Sequence, residues 1–535
     1  MDKRTIIVLV VTMAMLFVFQ TYFMPKEAPQ QQKPQAQTQT QPTPPADSAK
    51  PADKAIPRKG PGTAPGKDQG TSTPAAGTTD KKAARTIAVS TPYLDVTLTD
   101  LGGGISSVKL KKYKATVKGP EEKEIIEKVA PYSYNPTVYA NSAQDRVYFK
   151  ADKDRLAVTD TSATLTMTGD LPDGTRIKKT YTFYPDNYVV GLTVEGSGPQ
   201  AVYADFAVIN DKNESSYVFK GPFVFNGKGL NQIDKIKETL NFKDSYQYTG
   251  FDEGFFTFIY IPADSARPAL SIGKTDTNIP YIRLASGTNK LSGKLYFGPK
   301  KSDILASLNV KAEKIIDFGW FDIIAKPLVW LLDFFNRFTH NYGIDIILLT
   351  ILIKIIFHPL SVMSFKNMAK MQAVQPEIKK LQEKYKDDKA RLNQELMGIY
   401  KSRGVNPMSG CLPMLPQIPV FFALYKALSG AIELRHAPFL WWINDLSAPE
   451  DLWSFTVMGY TLPIRILPII MGVTQVIQQK MTPTSADPMQ QKMMMFMPIV
   501  FTFIFWGFPS GLVLYWLVYN VASIAQQYYI NKKLK

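Results

Sequence analysis

Residues 344–362 read IDIILLTILIKIIFHPLSV, an apolar run with a lysine, Lys354, near its middle. The run is close to the roughly 20 residues that a helix needs to cross the hydrocarbon core of a bilayer. A charge at that depth costs roughly 2.5–3.5 kcal/mol on insertion scales, so another group has to offset it. The stretch therefore predicts a membrane-spanning helix with a polar feature built into it.

Five further apolar stretches indicate a chain that crosses the membrane several times. Residues 5–24 follow Asp2-Lys3-Arg4 and offer no small-residue cleavage site. We interpret residues 1–24 as an uncleaved signal anchor; a cleaved signal peptide is the alternative, but its apolar stretch would be shorter. The other stretches are residues 411–431, 462–478, 493–508 and 511–530. With 344–362 they predict a multi-pass α-helical membrane protein with six transmembrane helices.

The charges between the apolar stretches predict the orientation of the chain. Residues 364–410 hold ten Lys and Arg against five acids, and three of the last four residues are lysines. Residues 432–460 hold four acids and a single arginine. Positively charged loops stay in the cytoplasm. We therefore expect both termini and residues 364–410 in the cytoplasm, and residues 432–460 outside.

Between the first two apolar stretches the composition changes twice. Residues 25–85 are rich in Pro, Gln, Ala and Thr, which predicts a disordered tether. Residues 86–317 contain short alternating runs, such as KTYTFY at 179–184, separated by turn residues, and this pattern predicts a large all-β sandwich outside the membrane. Residues 318–340 place apolar residues at helical spacing among charges, which is typical of an amphipathic helix at the membrane interface.

Composition excludes several kinds of function. A single cysteine, Cys411, cannot form an internal disulfide, and three scattered histidines do not predict a metal site. The net charge of +16 is spread over the tether and the cytoplasmic segments, so it indicates topology rather than nucleic-acid binding. Ser510 and His358 fall on opposite sides of the predicted membrane, which argues against a serine protease. We expect no enzyme and no cofactor.

The lysine in the membrane is the first functional candidate. Thr350 lies one helical turn from Lys354 on the same face, so a polar stripe follows one side of this helix. Gln417 is an amide inside another apolar stretch. One interpretation is a lysine that reaches for the membrane surface or bonds a backbone carbonyl. The other is a wet, positively charged cavity between helices.

Two further segments have open interpretations. Residues 364–410 predict a cytoplasmic helical hairpin with basic outward faces. These faces are either merely solvated or a docking surface for lipid headgroups, a partner protein or ribosomal RNA. The methionines between residues 489 and 497 either fill gaps in the packing or offer an adaptable apolar surface.

Several motifs in the C-terminal part resemble one known family. They are NPMSGCLP at 406–413, ELRHAPF at 433–439, DPMQQK at 487–492 and FPSGLVLYW at 508–516. The stretch from about 318 to 533 is similar to the YidC family of bacterial membrane protein insertases, and the anchor, tether and external β-domain resemble its Gram-negative form. The resemblance implies a periplasmic β-supersandwich. It also implies that residues 341–535 form a five-helix core enclosing a hydrophilic groove, with 364–410 as a cytoplasmic coiled coil.

The resemblance also implies roles for individual residues. Lys354 matches a basic groove residue that attracts acidic segments of incoming proteins, although many members carry Arg there. A lysine is a point charge without the planar fork of arginine. The other matching positions line the groove (Thr350, Gln417, Trp516) or lie on the helices along which substrate segments slide (Ile418, Pro419, Phe505).

The function implied is insertion and assisted folding of integral membrane proteins in the inner membrane, alone or with the Sec translocon. The expected partners are nascent membrane proteins, Sec components, the lipid bilayer and, weakly, the ribosome, with the protein acting as a monomer. A secondary transporter using Lys354 as substrate counter-charge is the alternative, but the core shows no internal repeat of the kind transporters have. A membrane-anchored sugar-binding protein is a third possibility, which would leave the lysine unexplained.

Overall fold

The computed structural model describes residues 84–126, 135–140, 147–207, 218–242, 246–263, 267–405, 414–457, 460–481 and 488–534. The predicted anchor at 1–24, and the predicted tether except its last two residues, lie outside the described residues. So do Cys411 and the motif at 406–413.

The N-terminal described part is a β-domain with one short helix. Its strands are β1 Thr86–Ser90, β2 Leu94–Thr99, β3 Gly104–Lys114, β4 Glu122–Glu124, β5 Thr137–Ala140, β6 Lys150–Ala151, β7 Arg155–Ala157, β8 Ala163–Asp170, β9 Arg176–Phe183, β10 Val189–Gly196, β11 Val202–Phe206, β12 Gly221–Phe225, β13 Leu230–Gln232, β14 Leu240–Phe242, β15 Tyr248–Asp252, β16 Phe256–Pro262, β17 Ala269–Lys274, β18 Pro280–Ala285 and β19 Lys290–Pro299. Helix α1, Ser302–Ala306, follows.

The strands form three sheets that share one apolar core. The largest has the order β13-β12-β15-β16-β19-β10-β9-β8-β6, and two five-stranded sheets run β4-β3-β2-β1-β7 and β14-β17-β18-β11-β5. Neighbouring strands are antiparallel apart from β1 and β7. In β9, Ile177, Tyr181 and Phe183 are fully buried between residues that are more exposed, because successive side chains of a strand point to opposite faces.

The C-terminal described part is helical. Its helices are α2 Asp322–Thr339, α3 Tyr342–Ile356, α4 His358–Lys384, α5 Lys389–Ser402, α6 Met414–Gly430, α7 Ile466–Met481, α8 Pro488–Phe505 and α9 Ser510–Leu534. Among the described residues, no helix alone has the length and composition to cross a membrane. The pair α3 and α4, bent by 66°, meets those criteria only when the two helices are taken together.

Two of the apolar stretches are interrupted where the sequence pattern predicts continuity. The stretch 344–362 is one run in the sequence, but α3 ends at Ile356 and α4 leaves at the 66° bend. Pro359 accounts for the break, since proline has no N–H to donate to the preceding helical turn and is well accommodated only in the first turn of a helix, which is its place in α4. The stretch 462–478 also differs, because α7 starts only at Ile466 and residues 460–464 form a strand.

Helices α4 and α5 form a hairpin. Val374 and Ile378 of α4 are buried together with Val405, which follows α5, and Leu396 and Ile399 pack against them. Nearer the start of α4, Phe365 and Met368 pack against Ile530 of α9. The hairpin is therefore attached to the rest of the helical part through the end of α9.

The β-domain and the helical part meet through a short turn after α6. Residues Ile432–Leu434 form a single 3-10 turn, and Ile432 is buried in the core of the β-domain. Arg435 donates hydrogen bonds to the backbone oxygens of Lys114 (2.9 Å) and Ala115 (3.1 Å). Because the segment after α6 is held against the β-domain, both lie at the same end of the helices.

Candidate functional site

Lys354 lies inside the helical part, with its charge turned toward α9. Its side chain projects from α3, and the residue is only 9% exposed. The ammonium nitrogen donates a hydrogen bond to the hydroxyl of Ser523 (2.6 Å) and lies 4.0 Å from the centre of the Tyr519 ring. A cation over an aromatic face is stabilised by about 2 kcal/mol when both groups are desolvated. These two contacts offset part of the cost of burying the charge.

Helix α9 contributes more to this interior than the sequence pattern suggested. Trp516, Asn520, Ser523 and Gln527 recur at intervals of three or four, so they share one face of α9. Asn520 donates to the hydroxyl of Thr474 on α7 (3.3 Å), and Gln527 donates to the backbone oxygen of Met481 at the end of α7 (2.9 Å). The polar face of α9 thus bonds to α7 on one side and to Lys354 on the other.

The predicted groove residues Thr350 and Gln417 lie in the same interior but contact different groups. Thr350 is fully buried and donates back to the carbonyl of Ile346 in its own helix (2.6 Å). The amide nitrogen of Gln417 on α6 donates to the hydroxyl of Tyr515 on α9. Helices α3, α6 and α9 therefore pack around polar and charged side chains, which a purely apolar helix interface would not contain.

Several polar atoms of this interior have no hydrogen-bond partner in the part of the chain that the structure describes. They are the amide oxygens of Gln417, Gln475 and Gln527 and the indole nitrogen of Trp516. A buried polar atom left without a partner costs about 1–3 kcal/mol. These atoms can bond with water or with the polar groups of another chain, so their positions mark where a hydrophilic segment would be stabilised.

The three residues assigned to the substrate path are not equivalent in the structure. Ile418 and Pro419 are exposed on α6. Phe505 is only 2% exposed, and its ring centre lies 5.3 Å from that of Trp516 and 5.8 Å from that of Phe421. Ile418 and Pro419 are open to a neighbouring chain, whereas Phe505 is reached only if this aromatic cluster separates.

The end of the helices that faces the β-domain is closed by the segment after α6. Ser510, the first residue of α9, donates through its hydroxyl to the backbone oxygen of Asp445 (2.6 Å). Phe439 packs against the start of α3, where a Cβ added to Gly343 would meet its ring at 2.0 Å. The polar interior is therefore covered at this end by residues 439–446.

Tyr519 and Ser523 are the contacts of Lys354 that the sequence interpretation missed. The apolar run 511–530 contains the recurring polar positions at helical intervals, and this periodicity is visible in the sequence. The mean apolar character of the run predicts a membrane crossing and conceals a face with one polar residue per turn. What the periodicity cannot reveal is which helix the face meets, since that depends on the packing of α3 against α9.

The fold and this interior define a class: a protein whose helical part has a buried polar, positively charged interior and a β-domain at one end of its helices. Together with the apolar stretches of the sequence, this arrangement indicates a membrane protein. Two family profiles match the chain, one described as "60Kd inner membrane protein" over residues 334–535 and one described as "YidC periplasmic domain" over residues 86–331. The chain belongs to the YidC family of membrane protein insertases.

Individual relatives match over nearly the whole chain. A membrane protein insertase YidC of Syntrophus aciditrophicus (strain SB) is 38% identical, covering 100% of both chains. That of Geobacter metallireducens (strain ATCC 53774 / DSM 7210 / GS-15) is 37% identical, covering 100% of this chain and 99% of the relative. A solved structure described as active YidC insertase with the first transmembrane domain resolved has 20% identity and a TM-score of 0.40, covering 84% of this chain and 93% of that one.

Family membership establishes the function in general terms. The protein is an insertase of the inner membrane with a periplasmic β-domain, it acts on integral membrane proteins, and it is not an enzyme. The comparisons give no support to the transporter alternative.

Proposed function

We propose that hydrophilic segments of nascent membrane proteins enter the polar interior around Lys354, while their apolar segments leave into lipid beside α6 and α8. The observation that carries this proposal is the environment of Lys354. Its charge is met by one hydroxyl and one aromatic ring, and no ion pair to it occurs among the residues that the structure describes. An acidic group of an incoming chain would supply the missing counter-charge.

The energy for insertion comes from the client itself. Moving an apolar segment from water into lipid releases roughly 0.8 kcal/mol for each buried CH₂ group. The polar interior reduces the opposing cost, which is the dehydration of the hydrophilic segment that has to cross. Thr350, Gln417 and Trp516 contribute hydrogen-bonding groups to this interior. Ile418 and Pro419 contribute apolar surface for the exiting segment, and Phe505 adds to it when its aromatic cluster separates. The mechanism needs no nucleotide and no cofactor.

Lys354 would act as a temporary rather than a permanent binding partner. Tyr519 and Ser523 hold its ammonium group on α9. Both are neutral groups, so neither competes with an incoming carboxylate as the counter-charge. A lysine offers one charged nitrogen, not the two-nitrogen fork of arginine, so the acid is held less rigidly and is released more easily.

The topology of the chain fits movement of the hydrophilic client segment from the cytoplasm to the periplasm. The β-domain is periplasmic, and the segment after α6 is bonded to it through Arg435. We propose six crossings: the anchor at 1–24 and five in the core, at about 344–362, 411–431, 466–478, 493–508 and 511–530, the fourth of the six starting where α7 starts. Both termini and the hairpin at 364–410 are then cytoplasmic, residues 25–85 form a tether, and residues 318–340 lie along the periplasmic interface. The exposed Trp330 and Phe338 of α2 suit that interface.

The cytoplasmic hairpin is the surface we assign to partners that deliver clients. Its exposed lysines, among them Lys379 and Lys380, provide positive charge for contacts with the ribosome or with Sec components. The few lysines of the tail make ribosome contact through the tail weak. We propose that the protein acts as a monomer.

The test uses purified protein in liposomes with a single-span client that has an acidic external tail, without Sec components or nucleotide. Lys354→Ala is expected to insert about tenfold less client, because a close charge pair is worth at least 1.4 kcal/mol. Lys354→Arg is expected to keep insertion. Lys118→Ala, which removes an exposed lysine of the β-domain, is the matched control and is expected to insert normally. The readout is the fraction of client tail protected from protease.

The client supplies a second control. With its tail acids changed to amides, Lys354→Ala and the native protein are expected to insert it equally. If the alanine variant inserts the acidic client at the native level, the electrostatic role of Lys354 is wrong. Solute flux through the liposomes, with no insertion, would favour a transporter instead.

A further inference from the structure

A two-stranded β-ribbon lies between α6 and α7. Its strands are β20, Trp453–Val457, and β21, Tyr460–Ile464, and Trp453 pairs with Ile464 at the base. No other strand joins this ribbon within the described part of the chain. An isolated two-stranded ribbon is at best marginally stable in water, so its position implies support from its surroundings.

The two faces of β20 differ in chemistry. Trp453 and Phe455 point to one face, and their ring centres lie 6.4 Å apart. Ser454 and Thr456 point to the other face, because side chains alternate along a strand. Trp453 is 66% exposed and Phe455 is 40% exposed. One face of the ribbon is therefore apolar and uncovered by the described part of the protein.

The base of the ribbon is held firmly. The carboxylate of Glu450 accepts hydrogen bonds from the indole nitrogen of Trp442 (2.6 Å) and from the backbone nitrogen of Leu467 in α7. Arg465 donates to the backbone oxygen of Glu450 (3.1 Å). These bonds tie both ends of the ribbon to one point beside α7, so the ribbon projects from a fixed base.

We propose that the apolar face of this ribbon lies in the lipid interface of the periplasmic leaflet and anchors that end of the helical part. The surfaces that flank the ribbon in sequence are also apolar. The first turns of α7 expose Ile469, Ile470 and Val473, and the loop before the ribbon exposes Trp441. Residues 451–464 hold one charged side chain, Asp451.

Lipid suits this surface better than a protein partner does. Tryptophan prefers the headgroup level of a bilayer, where its ring is apolar and its N–H remains solvated. A ribbon with one apolar and one polar face can lie flat there, with Ser454 and Thr456 turned toward water. The side of the membrane follows from Arg435, which bonds to the periplasmic domain. The inference does not depend on Lys354 or on the route of the client.

The experiment places a fluorescent reporter on each face of the ribbon. The full-length protein with Cys411→Ser receives one cysteine, as Trp453→Cys, Phe455→Cys or Ser454→Cys, and is labelled with an environment-sensitive dye after reconstitution into phosphatidylcholine nanodiscs. Quenching is measured with lipids carrying a nitroxide near the headgroup and with aqueous iodide. Positions 453 and 455 are expected to be quenched by the nitroxide lipid and to be about threefold less accessible to iodide than position 454.

Two results would overturn the proposal. Equal iodide access at all three positions would mean that water covers both faces. Protection from iodide at 453 and 455 without quenching by the nitroxide lipid would mean that protein covers the apolar face. The two apolar positions give independent readings, and the far-ultraviolet circular dichroism of each variant is compared with that of the unlabelled protein to confirm folding. Insertion activity is not the readout, so the result is separate from the test of Lys354.

Discussion

A buried lysine has to be stabilised by the groups around it, and Lys354 is stabilised by groups without formal charge. Its nitrogen lies 4.0 Å from the ring centre of Tyr519 and 2.6 Å from the hydroxyl of Ser523. Ser523 in turn donates to the backbone oxygen of Tyr519 (2.7 Å), which turns its lone pairs toward the lysine. We infer that Tyr519 and Ser523 are positioning residues for Lys354.

Replacing the ring of Tyr519 tests this positioning role. Tyr519→Phe keeps the aromatic face and is expected to insert an acidic client normally, while Tyr519→Leu is expected to reduce insertion several-fold, since the cation loses an interaction worth about 2 kcal/mol. The measurement is protease protection of the client tail in liposomes. Because a packing defect would affect all clients, the same variants are assayed with an amidated tail. Equal loss for both clients would contradict a role acting through Lys354.

Lys179 is a second buried lysine, and it lies in the β-domain. It is fully buried in the β-domain, donates to the backbone oxygen of Gly102 (2.6 Å), and lies 4.8 Å from the centre of the Phe149 ring. Burial lowers the pKa of Lys179 to about 7. In the unfolded chain the same group keeps an ordinary lysine pKa, so the unfolded state binds the proton more readily between those two values.

The consequence is a pH-dependent stability of the β-domain. The contribution of Lys179 to the free energy of unfolding is fully present above the pKa of this lysine in the unfolded chain. It is lost as the pH falls toward 7. The free energy of unfolding is therefore expected to rise between about pH 7 and pH 9.5, by at most about 1.4 kcal/mol per unit. Lys179→Met is expected to flatten this rise. Urea unfolding of the full-length protein, followed by near-ultraviolet circular dichroism, provides the check, and an unchanged slope in the variant would refute it.

At the scale of elements, the sequence predicts whether a segment is helix or strand better than where each element begins, bends or ends. Alternation in the β-domain and the apolar runs of the core are local patterns, so strands and helices followed from them. The bend at Phe357 and the strand at 460–464 depended on long-range packing and pairing, and the apolar runs concealed both. The same limit applied to the site. Lys354 and Thr350 were evident within one helix, but the partners of Lys354 on α9 required the packing of two helices.

The start of α3 packs tightly against Phe439 in the segment after α6. Adding a single methyl group at Gly343 tests this contact. A Cβ at Gly343 would meet the ring of Phe439 at 2.0 Å, whereas a Cβ at Gly398 of α5 would meet nothing within 4 Å. Gly343→Ala is expected to lower the thermal midpoint, since overpacking costs about 1–3 kcal/mol. Gly398→Ala is the matched control and is expected to raise stability slightly, because alanine favours the helix by roughly 0.5–1 kcal/mol. Thermal unfolding in detergent measures both.

At the scale of the whole molecule, the net charge of +16 is distributed unevenly between two segments that we propose lie on opposite sides of the membrane. Residues 364–410 carry ten basic and five acidic residues, while residues 432–460 carry one basic and four acidic residues. The structure adds an independent reason for placing the second segment outside, since Arg435 bonds to the periplasmic domain. The charge pattern and the contact agree, although the first is a property of sequence and the second of folding.

The topology makes a prediction for three exposed positions. In a Cys411→Ser background, Lys118→Cys in the β-domain is expected to react with an impermeant maleimide in intact spheroplasts. Gly398→Cys in the hairpin and Lys532→Cys near the end of α9 are expected to react only after permeabilisation. Helices α6, α7, α8 and α9 lie between the last two positions, and four crossings return the chain to the starting side. Reaction of Lys532→Cys from outside would require an odd number of crossings there. It would also reverse the orientation of α9 in the membrane. The polar face of α9 would then not lead acidic tails past Lys354 toward the periplasm.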